Sequence, residues 1–128
     1  MLKLIYTETG FHLERVAAPL EVLVTQRVAL ALRFGQTLHL EPGKASFLIP
    51  AHTEELLNLE LSLPLEESQR LTIASVDEGL VELTVTGTWL AATATADEGL
   101  FFTVFSDRTE FLIHKVWQAS KSQISCFG

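Results

Sequence analysis

The chain repeats two short patterns made of residues that can do chemistry. The first is His-Leu-Glu, in FHLER at 11–15 and again in LHLEP at 38–42. On a β-strand, residues i and i+2 face the same side. His12 with Glu14, and His39 with Glu41, could therefore each present an imidazole and a carboxylate, donors that suit Zn or Mn. A four-ligand site further requires the two strands to lie side by side in register. Two solvent-facing strand surfaces, with apolar neighbours Phe11/Leu13 and Leu38/Leu40, are the simpler reading, because a closed metal site needs several independent coincidences. No metal and no cofactor are expected.

The second pattern is Asp-Glu-Gly-Leu, in VDEGLVELTV at 76–85 and ADEGLFFTVF at 96–105. Each copy precedes a β-prone run. Asp and Glu suit the first positions of a hairpin turn, and Gly79 and Gly99 its positive-φ position. Two such turns close opposite ends of one strand of about 14 to 16 residues, which rises about 3.3 Å per residue. Carboxyl pairs that share a reaction lie within about 10 Å of each other. Asp77/Glu78 and Asp97/Glu98 are thus read as two turns of a meander, not as an acid pair.

Other reactive side chains are better explained structurally. Ser106, Asp107 and His114 have the types of a catalytic triad, but Asp107 fits the role of helix cap. Cys126 has no evident base beside it and reads as a spectator thiol. Tyr6, Arg15 and Arg27 could line a pocket. Arg27 stands out, because it falls at the margin of an apolar helix face. An extended stem over apolar surface, or an internal ion pair, accounts for it more simply than anion binding. There is no Gly-rich phosphate loop and no GxSxG, HExxH or CxxC motif. No catalytic residue is assigned.

These residues need elements to position them. LKLIYTE and FHLERV read as two strands across Glu8-Thr9-Gly10, with Gly10 at positive φ. Residues 20–34 read as a helix introduced by Pro19 and closed by Gly35, with Leu20, Val24, Val28 and Ala31 on one face and Leu23 and Phe34 at its margin. RVALALRF also alternates and could form a hairpin strand; the helix is favoured because Leu, Ala, Gln and Arg are helix formers. TLHLEP and ASFLIP, around Pro42-Gly43, read as two strands or extended arms. Residues 51–68 read as a covering arm, with at most two helical turns at HTEELLN and an edge or loop at Pro64. RLTIASVD, LVELTVTGTWLAATAT and LFFTVF form an antiparallel meander that bends at Gly87. A last helix follows Asp107 as its N-cap, with Glu110 at capping-box spacing, and buries Leu112, Ile113, Val116 and Ala119. Residues 122–128 fray or pack through Phe127.

The fold class is accordingly α+β: one domain over 1–128, a mainly antiparallel sheet, one helix near the middle and one at the C-terminus. Hydrophobic residues make up 48% of the chain, enough for a core. No apolar run reaches membrane-spanning length, and MLKLIYTET lacks a signal-peptide pattern. The net charge of −7 and the lack of a Lys/Arg cluster argue against nucleic acid and anionic membranes. A single cysteine suits the reducing cytoplasm.

One surface invites a partner. Phe111 falls on the polar side of the last helix, beside His114, Lys115 and Gln118. Phe101 and Phe102 must face opposite sides of the sheet, so both faces need covering. The function expected is a non-catalytic interaction or accessory role, as a homodimer or with a protein partner, through an apolar-aromatic surface. The alternative is a small-molecule binder or enzyme with a pocket between sheet and helix near Tyr6 and Arg27. MLKLIYTETGF, ALALRFGQ and SDRTEFLIHKVWQ resemble segments of short uncharacterised cyanobacterial proteins. That resemblance implies a bacterial cytosolic setting and carries no activity.

Overall fold

The computed structural model describes residues 1–8, 10–93 and 95–119 in full and the backbone of 120–127. Among the described residues it contains six strands and four helices, in the order β1 (Leu2–Thr7), β2 (Gly10–Arg15), α1 (Leu20–Arg33), β3 (His39–Pro50), α2 (Glu54–Ser62), α3 (Leu65–Ser68), β4 (Leu71–Ser75), β5 (Leu80–Ala91), β6 (Gly99–Thr103) and α4 (Asp107–Phe127). The strand order is β2-β1-β6-β5-β3, with β4 also paired to β5. The β1–β2, β1–β6, β4–β5 and β5–β6 pairings are antiparallel. The α+β class read from the sequence holds.

Two compact units share the chain. The first comprises residues 1–44 and 87–104. Its hairpin turns where Gly10 takes φ +136°, as its sequence requires. Registers Leu4↔Leu13, Leu4↔Phe101 and Trp89↔Phe101 put four large side chains in one row across β2, β1, β6 and β5. Phe101 and Phe102 face opposite sides and are both buried, so both faces of this sheet region are covered at β6. Gly99 is placed by crowding. A Cβ there would meet the Trp89 ring at 2.6 Å and the Leu90 carbonyl at 2.7 Å.

The second unit comprises residues 45–86 and 105–128. Ala45, Phe47 and Ile49 of β3, Leu71 of β4, and Val81, Leu83 and Val85 of β5 are its buried strand residues. Leu56 and Leu59 of α2 and Ile113, Val116 and Trp117 of α4 are its buried apolar helix residues, Thr109 and Glu110 of α4 are buried polar ones, and α2 packs on α4. Alternation in the strands and 3-to-4 spacing in the helices produce this core directly.

Several expectations fail. Residues 39–50 are one continuous strand, not two, because Gly43 is not at positive φ and β3 ends the strand order, where a proline is tolerated. Residues 51–68, expected as a covering arm, carry two helices: Thr53 and Pro64 precede α2 and α3, and Pro64 introduces a helix where an edge or a loop was expected. Among the described residues, the positive-φ glycines are Gly10 and Gly35. Gly79 and Gly99 do not take the turn conformation expected of them. At the first DEGL the Asp77 carboxylate holds the turn by accepting the N–H of Gly79 at 2.8 Å and of Leu80 at 3.0 Å. At the second, Gly99 already lies in β6. Finally, α4 starts one residue earlier than its sequence suggested, with Ser106 as cap. The backbone of α4 continues through 122–127, where fraying was expected, and packing of the Phe127 side chain lies outside the described residues.

Candidate functional site

The helix α1 has an unusual composition for its environment. LEVLVTQRVALALR is apolar around most of its circumference, with Glu21, Arg27 and Arg33 as its charges. Such a helix belongs in an interior. Yet of its residues, all of them described, only Ala31 is buried. Leu20, Leu23, Val24 and Val28 are half-buried on the expected inner side, while Leu32 is 71% and Phe34 70% exposed. Val22 and Leu30 are also exposed. The local geometry is firmly set at one end. Gly35 takes φ +67°, and the N–H groups of Gly35 and Gln36 donate to Leu32 and Ala31 carbonyls at 3.1 and 2.7 Å. This is a Schellman closure, and it fixes where the apolar end of the helix stops.

Beneath α1 an open cleft of about 290 Å³ is lined by Arg27, Leu30, Ala31 and Phe34 from the helix end and by Leu38, Leu90 and Leu100, with Gln36 and Glu98 as further polar groups. Sequence reasoning paired Arg27 with Tyr6 here. Arg27 does line the cleft. Tyr6 does not: it stacks on Phe11 at 5.8 Å and meets the edge of Trp89 at 5.5 Å, and burial raises its phenol above the ordinary tyrosine range.

The two His-Leu-Glu pairs are not brought together. His12 and Glu14 are on β2, which pairs with β1, and His39 and Glu41 are on β3 at the other end of the strand order. The adjacent register that a four-ligand site needs is not formed. Glu14 lies 3.7 Å from Lys3, and Glu41 lies 2.9 Å from the Nε2 of His39. Among the described residues no three His, Cys, Asp or Glu side chains converge.

On α4, Phe111 is half-exposed with the Lys115 ammonium 5.2 Å from its ring centre; His114 is half-buried, and Lys115 and Gln118 are exposed. The side chain of Cys126 lies outside the described residues. Ser106 has no triad. Its N–H donates to Glu67 at 2.5 Å, its hydroxyl lies 3.3 Å from the same carboxylate, and its Oγ accepts the Thr109 N–H at 3.3 Å. The Thr109 hydroxyl also donates to Glu67. Burial pushes the Glu67 carboxyl up, but the bonds from Thr109 and Ser106, with Arg70 nearby, outweigh it and leave the group below its ordinary range. Glu67 was missed in the sequence, as was the exposed series Leu57, Leu61 and Leu65. The leucines carry a signal, a spacing of four. Glu67 carries none, since it reaches Ser106 across 39 positions.

Residues 1–121 match the Alr0857-like family. The chain belongs to that family. The match agrees with the resemblance seen in three stretches of the sequence, and the family description states no activity, ligand or partner. No curated protein and no solved structure matches the chain. Among the described residues, no helix is long and apolar enough to cross a membrane.

Proposed function

We propose that the protein is a non-catalytic interaction or accessory protein of the cytoplasm, working through an apolar-aromatic surface centred on α1. One observation carries this reading: a helix apolar nearly all round buries a single residue within the chain. Exposed apolar residues gathered on one element are a mark of association sites. Leu32 and Phe34 supply the anchors and Gln26, Arg27 and Arg33 a polar rim, the usual anatomy of a modest interface. The half-exposed Phe111, with His114, Lys115 and Gln118, is a smaller patch of the same kind.

The test is a photo-crosslinking side chain placed at Ala29 and activated in extract of the native host. Crosslinks are expected to a defined protein, this chain included, and to be lost in Leu32→Ser/Phe34→Ser. Absence of crosslinks, or a diffuse set indifferent to the double substitution, would overturn the reading.

A second reading follows from the cleft under α1. Its apolar floor with Arg27, Gln36 and Glu98 at hand has the makings of a small-ligand site. A thermal-shift screen of small amphipathic acids, repeated on Arg27→Ala, tests it: stabilisation lost in the variant supports the site.

A further inference from the structure

An arginine stands in the middle of the α1 stripe that holds the buried residue of that helix. At about 100° per residue, Leu20, Leu23 and Ala31 all lie within about 40° of Arg27, and Ala31 is the buried one. Inward positions of this kind ordinarily carry apolar side chains, as those three do. The Arg27 side chain instead lines the cleft of about 290 Å³ beneath the helix, together with Leu30, Ala31 and Phe34. The β5–β6 pair supplies the other wall. Leu90 pairs with Leu100, and Glu98, two residues before Leu100, takes the same side by alternation. Leu90, Leu100 and Glu98 all line the cleft, and every lining residue belongs to the first compact unit.

The cleft thus holds one cation and one anion beside an apolar bed, and the two do not answer each other. Among the described residues, neither the Arg27 nor the Glu98 side chain has an ion-pair or hydrogen-bond partner. Two unanswered opposite charges restrict what fits. A simple acid would satisfy Arg27 and bring its negative charge toward Glu98. A simple amine would satisfy Glu98 and bring its positive charge toward Arg27. A neutral apolar molecule would strip water from both and return no bond, which costs free energy. A molecule that carries both charges satisfies both. Size and lining set the rest. The volume lies at the small end of ligand pockets, and Leu30, Phe34, Leu38, Leu90 and Leu100 offer an apolar surface.

Accepting that the cleft under α1 is a small-ligand site, we infer that its ligand is a zwitterion with an apolar body, of the class of a free aliphatic or aromatic amino acid. Its carboxylate pairs with Arg27, whose planar guanidinium matches a carboxylate with two parallel hydrogen bonds. Its ammonium pairs with Glu98, and its side chain lies on the leucines. The Gln36 amide, which both donates and accepts, serves either end. Arg27 and Glu98 are both exposed to water, so the charged contacts are screened and the affinity is modest.

Removing one charge at a time, from the ligand and from the protein, tests this. Titration calorimetry on the full chain compares phenylalanine and leucine with their single-charge counterparts: phenylpropanoate and methylpentanoate, phenethylamine and isoamylamine. The better amino acid is expected to bind roughly two- to fivefold more tightly than either of its counterparts, the worth of one exposed ion pair. Glu98→Gln should weaken the amino acid by a similar factor and leave the acid no weaker, since a like charge has gone. Arg27→Gln should weaken the amino acid and the acid together and leave the amine no weaker. Both residues are exposed, so each variant without ligand should melt as the wild type does, by circular dichroism. An acid that binds as tightly as its amino acid, with Glu98→Gln indifferent, overturns the zwitterion and leaves a ligand cleft at Arg27. An amine that binds as tightly as its amino acid overturns the zwitterion as well. If none of the probes binds, or if binding ignores both substitutions, the zwitterion and the cleft reading fall together.

Discussion

The helices α1 and α4 treat their apolar side chains differently. In α4 the apolar side chains gather on one side: Ile113 and Val116 are fully buried, with Trp117 close to it, while Lys115 and Gln118 face out. In α1 apolar side chains occur on both sides, and only Ala31 is buried. Their starts differ in the same sense. The first turn of α4 is held by Ser106 and by a carboxylate from α3. That of α1 has only Pro19 and no side-chain cap. Stability in the folded chain follows burial and satisfied backbone groups, whereas hydrophobicity alone fixes only what an element would prefer to touch. The core helix meets that preference within its own unit, and α1 leaves much of it unmet.

The sharpest test of this contrast compares truncations in the two helices. Ile113→Ala should lower unfolding free energy by about 2–5 kcal/mol, the range for deleting a fully buried aliphatic side chain. If denaturant titration showed a loss as small as that of a surface change, α4 would not be the anchor described here.

Next in size is the α3 carboxylate. Glu67→Gln removes the charged acceptor at the α4 start and should cost about 1–2 kcal/mol, less than for a fully buried charge because the group is partly exposed. Its folded-state pKa lies below the ordinary glutamate range. The stabilisation is therefore complete above the unfolded-state pKa and is lost as pH falls through the folded-state value. Melting curves at descending pH should show the wild type converging on Glu67→Gln in acid, and a constant gap would contradict the latch.

At the α1 end, Gly35→Ala should destabilise by about 1 kcal/mol, because alanine resists φ +67°. A neutral result by thermal melting would mean that the Schellman closure is not holding the helix end. Smallest of all, Leu32→Ser should change monomer stability by less than about 0.5 kcal/mol, as for other surface positions. Its effect belongs in light scattering at high concentration. A large stability loss there would show that α1 is core after all and collapse the comparison.

Much of this fold was legible in the sequence, and the failures share a cause. Periodicity located β1, β2, α1, the β4–β6 strands and, of the stripe read on α4, Ile113 and Val116, while Leu112 and Ala119 are only half-buried and Trp117 is buried instead. Residues 51–68 misled because Leu59, Leu61, Leu63 and Leu65 alternate like a strand, while the helix uses Leu56 and Leu59 inward and leaves Leu57 and Leu61 exposed. Pro42-Gly43 looked like a turn since local chemistry cannot show that a strand lies at the end of a sheet. Gly79 and Gly99 were assigned one conformation from one motif, whereas Asp77 makes the first turn with its side chain and the Trp89 ring demands a glycine at the second. The α4 cap shifted by one residue because its second acceptor comes from Glu67, far away in the chain. Of the candidate site, Arg27 at a cleft was anticipated. The exposure of Leu32 and Phe34 was not, since an apolar pattern says what should be covered and not whether the chain has anything left to cover it with.

Pro42 has one further consequence. A strand at the end of a sheet is an open template onto which the strand of another molecule can add, and then another, toward a fibril. On β3 that template is interrupted. Pro42 has no backbone N–H to offer, and the exposed Lys44 sets a positive charge two residues on. A strand added along this margin would lose a hydrogen bond at Pro42 and meet the charge of Lys44.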